Sequence, residues 1–224
     1  MSAMLQNRLK DRGTHPGAAA CTLAEVFAET ATDAAAVAFA LARIPKSSAP
    51  ILWVQDRLSR KETGRPYLAG LGQTRPIIMV DLSRAVDVLW AMEDGLRCAS
   101  LAAVVGEVWG DPPALDFTAS KRLAMRAETA EVPCWLIRRA ASANLSAARE
   151  RWRVASLPAA RHPHDARAPG QPRWSLELFR ARGGKPGQWV GRYDRTTDRL
   201  HFAAPLRDGA VAEGEGTAGQ RAAG

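Results

Sequence analysis

Ile51-Leu52-Trp53-Val54 is the first of four short apolar runs that decide the fold. The others are residues 76–80 (Pro-Ile-Ile-Met-Val), residues 101–105 (Leu-Ala-Ala-Val-Val) and residues 134–137 (Cys-Trp-Leu-Ile). Segments of helical length separate these runs, which is the pattern of parallel strands joined by helices. Strands without polar alternation are typical of a sheet covered on both faces. The sequence therefore predicts an α/β fold with a largely parallel sheet flanked by helices.

The loop that would bind phosphate in a nucleotide-binding fold of this kind is missing. The first strand is predicted at residues 22–27, and the pattern G-x-x-x-x-G-K-[ST] would follow it. Residues 28–35 instead read Ala-Glu-Thr-Ala-Thr-Asp-Ala-Ala, with no glycine, no lysine and two acidic residues. We therefore expect no bound cofactor, no catalytic residue and no enzymatic activity.

The positive charge of the chain is concentrated towards its C-terminus. The total is +8, whereas residues 138–207 contain 15 Lys and Arg against 5 Asp and Glu. The rest of the chain is therefore slightly acidic. Concentrated arginine indicates a polyanionic partner, because the planar guanidinium binds phosphate through two hydrogen bonds. A compositional bias towards arginine is the alternative, but it would not confine the charge to one region.

Several classes of protein are disfavoured by composition. The apolar fraction of 46% is typical of a globular chain, and no run approaches 18 consecutive apolar residues. The N-terminus lacks the pattern of a secretory signal. Three widely spaced cysteines fit neither a disulfide framework nor a Cys-x-x-Cys metal pair. We expect a cytoplasmic protein with reduced, buried thiols.

Helical and turn signals fill the intervals between the strands. Helices are predicted at residues 33–43, 84–99 and 117–130, with a short helix beginning at Pro66. Residues 55–64 are predicted to be a polar loop.

In the C-terminal part of the chain, the hydrophobic pattern changes to the alternation typical of short strands. Residues 173–180, 188–193 and 200–203 read as short strands joined by basic turns, which predicts a small antiparallel β-meander. The predicted parts of the chain are a flexible N-terminal segment (1–15), the α/β core (16–155), a proline-rich linker (156–173), the basic β-meander (174–206) and a disordered tail (207–224).

Six segments, taken in order, form a recognisable set: 65–72 (RPYLAGLG), 87–97 (DVLWAMEDGLR), 101–107 (LAAVVGE), 118–123 (TASKRL), 151–154 (RWRV) and 174–184 (WSLELFRARGG). This set resembles the RecA-like core and, more specifically, the ImuA proteins of the bacterial mutasome. The resemblance implies a degenerate RecA-like core and an accessory role in damage-induced, error-prone translesion DNA synthesis of the SOS response. It also implies two protein partners, an ImuB-type, Y-family polymerase-like hub and an error-prone replicative polymerase. Together with the arginine-rich region it makes DNA an expected partner, with single-stranded DNA favoured and the preference between single and double strands left open.

The residues that a RecA-type ATPase would need are replaced. Gly106 stands where the resemblance implies a metal-binding aspartate, with Glu107 next to it. Gln55 and Asp56 stand where it implies the glutamate that orients the attacking water. ATP hydrolysis is therefore not expected, although a residual DNA-stimulated ATPase and a SulA-like cell-division inhibitor acting by protein contact stay open as alternatives.

Eight basic residues are the candidates for contact with DNA. Four follow the strand that matches the one before the DNA-contacting loop of RecA, and four lie in the predicted meander among aromatic residues. They are Arg138, Arg139, Arg149, Arg151, Arg180, Arg182, Lys185 and Arg192. Aromatic residues among arginines can stack on bases, but packing against the core is the favoured interpretation of Trp174 and Trp189.

Two other groupings carry weaker signals. Glu107, Asp111 and Asp116 could be paired carboxylates at the carboxyl end of a strand, but a solvated loop with Asp116 capping a helix is favoured. His162 and His164 lie two residues apart in the proline-rich linker, without a further ligand nearby. We expect no metal site.

Overall fold

The computed structural model describes residues 21–67, 69, 75–165, 167–194, 196–197 and 199–203. The predicted segments 1–15 and 207–224, and most of the short helix predicted from Pro66, lie outside the described residues. The strands are β1 Leu23–Ala28, β2 Ile51–Asp56, β3 Ile77–Leu82, β4 Ala103–Trp109, β5 Cys134–Arg139, β6 Glu150–Leu157, β7 Arg173–Ala181, β8 Gly187–Asp194 and β9 Arg199–Ala203. The helices are α1 Ala35–Arg43, α2 Arg57–Thr63, α3 Ala85–Gly95 and α4 Phe117–Ala130.

The described strands form a single mixed sheet in the order β3-β2-β4-β5-β1-β6-β7-β8-β9. Strands β3 to β6 in that order are parallel, and the pairings from β6 to β9 are antiparallel. The predicted α/β fold, with a largely parallel sheet and a C-terminal antiparallel meander, is confirmed. The meander continues the same sheet, because β7 pairs directly with β6.

Helices cover the parallel part of the sheet on both faces. On one face, α1 packs over β5, β1 and β6, and the Phe39 ring lies 5.9 Å from Trp135 and 4.9 Å from Trp152 between ring centroids. On the other face, α3 and α4 pack over β2, β4, β5 and β1 around Met92, Leu123 and Leu136. The continuous apolar strands predicted from the sequence are therefore buried on both sides.

Four neighbouring parallel strands end at the same edge of the sheet. The carboxyl ends of β1, β2, β4 and β5 lie side by side, and we call this the carboxyl edge. Ligands of open parallel sheets bind at such an edge. The loop from β1 to α1, residues 29–34, lies there, where the missing phosphate-binding loop would be.

Two local predictions are wrong. Residues 55–64 are not a polar loop, because β2 extends to Asp56 and α2 follows it, with the Asp56 side chain accepting a hydrogen bond from Ser59 N at 2.6 Å. The cysteines are free, but Cys21 and Cys98 are exposed and only Cys134 is buried. The two exposed thiols lie outside the strands and helices that form the core. None of the helices in the described part of the chain combines the length and hydropathy needed to cross a bilayer.

Candidate functional site at the carboxyl edge

A cleft of about 350 Å³ lies at the carboxyl edge, beside the loop between β1 and α1. Thr32 and Ala34 of that loop line it, together with the side chains of Glu107 from β4 and Arg139 from β5. Tyr67 also lines the cleft and is 76% exposed. This is where the fold would hold a nucleotide, so its polar groups decide what the site can bind.

Arg139 determines which backbone groups of the β1–α1 loop point towards it. Its Nη1 donates hydrogen bonds to the backbone carbonyls of Ala31 at 2.8 Å and Asp33 at 3.0 Å. Its Nε donates to the carboxylate of Glu107, and both side chains are almost fully buried. A phosphate cradle turns backbone N–H groups towards an anion. This loop instead turns carbonyl oxygens towards a cation that the chain itself supplies.

Glu107 is engaged on both of its oxygens. Gln55, its register partner on β2, donates from Nε2 to Glu107 Oε2 at 3.0 Å and to the carbonyl of Gly64 at 2.9 Å. Thr63 Oγ1 lies 3.4 Å from Glu107 Oε1, the oxygen that also accepts from Arg139. Burial raises the pKa of the Glu107 carboxyl, and the charge and hydrogen bond of Arg139 oppose that shift. Gln55, at the position implied for the water-orienting glutamate, and Glu107, next to the position implied for the metal-binding aspartate, are thus joined in one hydrogen-bonded network.

The other acidic residues at this edge also have structural tasks. Asp56 accepts from Ser59 N and, through Oδ2, from Trp109 N at 3.1 Å. Asp116 caps α4 by accepting from Ala119 N at 2.7 Å, as predicted. Among the described residues, no three or more His, Cys, Asp or Glu side chains form a group suited to a metal ion. His162 and His164 therefore belong to no such group.

A second buried ion network lies on β1, β5 and β6. Glu25, fully buried in the middle of β1, accepts from Arg151 Nε at 2.6 Å and from Ser146 Oγ at 2.9 Å. Arg138 Nη1 lies 3.8 Å from Glu25 Oε1, and Arg138 Nη2 donates to Asp111 Oδ1 at 2.6 Å. Burial lowers the pKa of the Arg138 guanidinium, and the charges of Glu25 and Asp111 oppose that shift.

The eight basic candidates fall into different environments. Arg138, Arg139 and Arg151 are at most 4% exposed and face carboxylates, so their charge is used inside the protein. Arg149 donates to both oxygens of Glu128, at 2.6 and 3.0 Å, and its hydrogen bond lowers the pKa of that carboxyl. The four meander residues are exposed: Arg180, Arg182, Lys185 and Arg192.

The sequence does contain a signal for the buried arginines. Glu25 and Glu107 each stand alone within an apolar strand segment, Leu-Ala-Glu-Val-Phe and Val-Gly-Glu-Val. A buried carboxylate needs a paired, hydrogen-bonded partner. Isolated glutamates in apolar strands therefore predict buried basic partners, and the neighbouring strands supply Arg138, Arg139 and Arg151.

The meander presents one covered and one open face. Trp174, Leu176 and Leu178 are buried on the face that shares the core with α1, and Trp189 packs there too, so the favoured interpretation of both tryptophans is confirmed. In the described part of the chain, no helix packs on the opposite face of β7, β8 and β9. We call this the open face.

A row of basic side chains crosses the open face. Arg173 on β7 is the register partner of Arg192 on β8, which is in turn the register partner of His201 on β9. We call these three residues the cation row, after its two arginines. Like charges directly opposite each other destabilise a sheet. Within the described residues, neither Arg173 nor Arg192 has an ion-pair partner, so the row is a surface suited to an anion.

Comparison with known proteins places the chain beside two curated relatives. These are Protein ImuA of Caulobacter vibrioides strain NA1000/CB15N and Protein ImuA of Caulobacter vibrioides strain ATCC 19089/CIP 103742/CB 15. Each is 32% identical over 177 residues, which covers 72% of this chain and 69% of the relative. No protein-family model matches the chain.

Proposed function

Because the chain belongs to the ImuA family, we propose that it is a non-catalytic accessory protein of damage-induced, error-prone translesion DNA synthesis. In this role it contacts DNA and polymerase-type partners, namely an ImuB-type, Y-family polymerase-like hub and an error-prone replicative polymerase. The protein acts by binding and positioning, and it does so without a nucleotide switch.

The observation that carries the proposal is the inverted polarity of the β1–α1 loop. A triphosphate at the carboxyl edge would meet the carbonyls of Ala31 and Asp33, which already accept hydrogen bonds from Arg139. Drawing Arg139 away to bind the phosphates would leave the buried Glu107 carboxyl without its counter-charge. Breaking such a buried pair costs about 3–5 kcal/mol. This cost supports the proposal that the site does not bind a nucleotide and that its polar groups stabilise the fold instead.

The cation row supports contact with DNA. It lies on an open face with no described ion pair to Arg173 or Arg192, and phosphates would relieve the repulsion between these two arginines. Of the eight predicted basic residues, this proposal uses Arg192 and adds Arg173 and His201.

The experiment is fluorescence anisotropy of a labelled single-stranded oligonucleotide with the full chain, across salt concentrations and with or without Mg-ATP. We expect affinity to fall steeply with salt and to ignore ATP. The double variant Arg173→Ala/Arg192→Ala removes two phosphate contacts, so the slope of log affinity against log salt should shrink by roughly 1.4.

The matched control is Lys61→Ala/Arg97→Ala, which removes two exposed charges that lie outside the open face. This control should leave the slope unchanged. Equal slopes for the parent and the cation-row variant would remove the open face from the proposal, and ATP-dependent affinity would contradict the nucleotide-independent role.

A further inference from the structure

A groove lies at the end of the meander remote from the cation row. It has a volume of about 510 Å³ and runs between α4, the segment 146–149 and the end of β7. Arg180, at this end of β7, is seven residues from Arg173 of the cation row. At roughly 3.4 Å per residue, the two surfaces are about 24 Å apart. They are therefore separate places on the molecule.

The apolar part of the groove comes from α4. Phe117 and Met125 are 43% and 55% exposed, respectively, and with Lys121 they recur every four residues along the helix. Residues at that spacing lie on one face of a helix. The opposite face of α4 already packs in the core through Leu123 and Ala127. The packing of α4 in the core therefore gives no reason for Phe117 and Met125 to be exposed.

The charged part of the groove is uniformly basic. Lys121, Arg180 and Arg182 line it and are exposed, and none of the three has an ion-pair partner in the described part of the chain. Arg149 also lines the groove, with its charge paired to Glu128. The described lining contains no acidic side chain. An occupant must therefore bring negative charge as well as an apolar side chain.

We propose that this groove docks an acidic segment of a protein partner, which packs one or two apolar side chains against Phe117 and Met125. The inference rests on the proposed function, in which the chain holds protein partners. A protein segment fits better than nucleic acid, because base stacking needs aromatic platforms and Phe117 is the one aromatic residue in the described lining. Methionine adapts to apolar side chains of varied shape, and acidic residues match the three free cations.

The test selects binders from a display library of random 12-residue peptides, using the full chain as bait. We expect the selected peptides to combine Asp or Glu with a Leu, Phe or Trp anchor. A labelled peptide of the selected sequence should bind the double variant Lys121→Glu/Arg180→Glu about tenfold more weakly than the parent. Met125→Ala should weaken binding several-fold while leaving the salt dependence of binding unchanged, because it removes apolar contact without altering charge. Lys61→Glu/Arg97→Glu is the matched control.

Several outcomes would overturn the proposal. Selected peptides without acidic residues, or binding that ignores the groove variants, would show that the groove is not the docking site. A fall in oligonucleotide affinity with Lys121→Glu/Arg180→Glu, as large as that with the cation-row variant, would make the groove part of the DNA surface. Tighter peptide binding after removal of residues 204–224, which contain Asp208, Glu213 and Glu215, would identify the occupant as the chain's own acidic segment.

The two proposals fail separately. Salt-dependent DNA binding without peptide selection would reject the groove alone. Peptide selection with intact groove dependence but no DNA binding would reject the DNA contact and leave the groove in place.

Discussion

Replacing Arg139 with alanine should be among the most destabilising single substitutions in this protein. The change removes the cation that faces the buried Glu107 carboxylate and leaves the carbonyls of Ala31 and Asp33 without their donor. Glu107 is 1% exposed, so its carboxylate depends on protein groups for its counter-charge and hydrogen bonds. Breaking one side of a buried ion pair costs about 3–5 kcal/mol, and we expect the free energy of unfolding to fall by about 4 kcal/mol.

The loss should depend on pH, with a defined sign. Burial already raises the pKa of Glu107 in the folded state, and removal of Arg139 takes away the charge that opposes this shift. A carboxyl whose pKa is higher in the folded state favours folding below its unfolded value of 4.5, and this contribution is lost as pH rises through the folded pKa. The stability difference between the parent and Arg139→Ala should therefore be largest at neutral pH and shrink as pH falls towards 4.5.

The assay is urea unfolding followed by tryptophan fluorescence at several pH values. The double variant Glu107→Gln/Arg139→Met removes both charges, and it should recover most of the loss, because exchanging a buried pair for neutral groups is often close to neutral. Arg153→Ala is the matched control, since it breaks an exposed ion pair with Glu177 and should cost less than about 1 kcal/mol. An Arg139→Ala cost no larger than that of Arg153→Ala, or independent of pH, would refute the reasoning.

Three further predictions follow from the same structure. Glu25→Gln leaves Arg151 buried without a counter-charge and should lower the free energy of unfolding by about 3 kcal/mol, measured by urea unfolding; a change below about 1 kcal/mol would contradict the buried network. Gly106→Ala places a Cβ 2.1 Å from Met92 Sδ and should cost about 1–3 kcal/mol, and combining it with Met92→Ala should cost less than the sum of the two single changes in a double-mutant cycle. A thiol reagent such as dithionitrobenzoate should modify two cysteines of the native protein at once and Cys134 only after unfolding, because burial raises the pKa of that thiol; three fast thiols would contradict the packing.

The parallel sheet was predictable because its strands are continuous apolar runs. Residues 51–54 and 134–137 lie within buried strands, and the alternation over 173–180 correctly predicts β7. Helix α2 was missed because Arg57–Thr63 contains one large apolar residue and so has no helical period. Its signal was the cap, since Asp56 precedes it with the spacing of an N-cap residue.

The site was harder to predict than the fold, because its pairings join distant parts of the chain. Arg151 meets Glu25 across 126 positions, and Arg139 meets Glu107 across 32. Local composition shows an arginine-rich region but not which arginines face carboxylates from other strands. The cation row likewise depends on the register of β7, β8 and β9, which sequence alone does not supply.

The most direct test of the account is calorimetric titration of the full chain with Mg-ATP, alongside the same titration of Arg139→Ala. We expect no saturable binding to the parent at nucleotide concentrations up to about 1 mM, because the chain's own ion pair fills the site. The contradicting result would be stoichiometric binding with a micromolar dissociation constant that changes at Glu107 or in the loop at residues 29–34 abolish. Such binding would show that the carboxyl edge of the sheet still binds nucleotide.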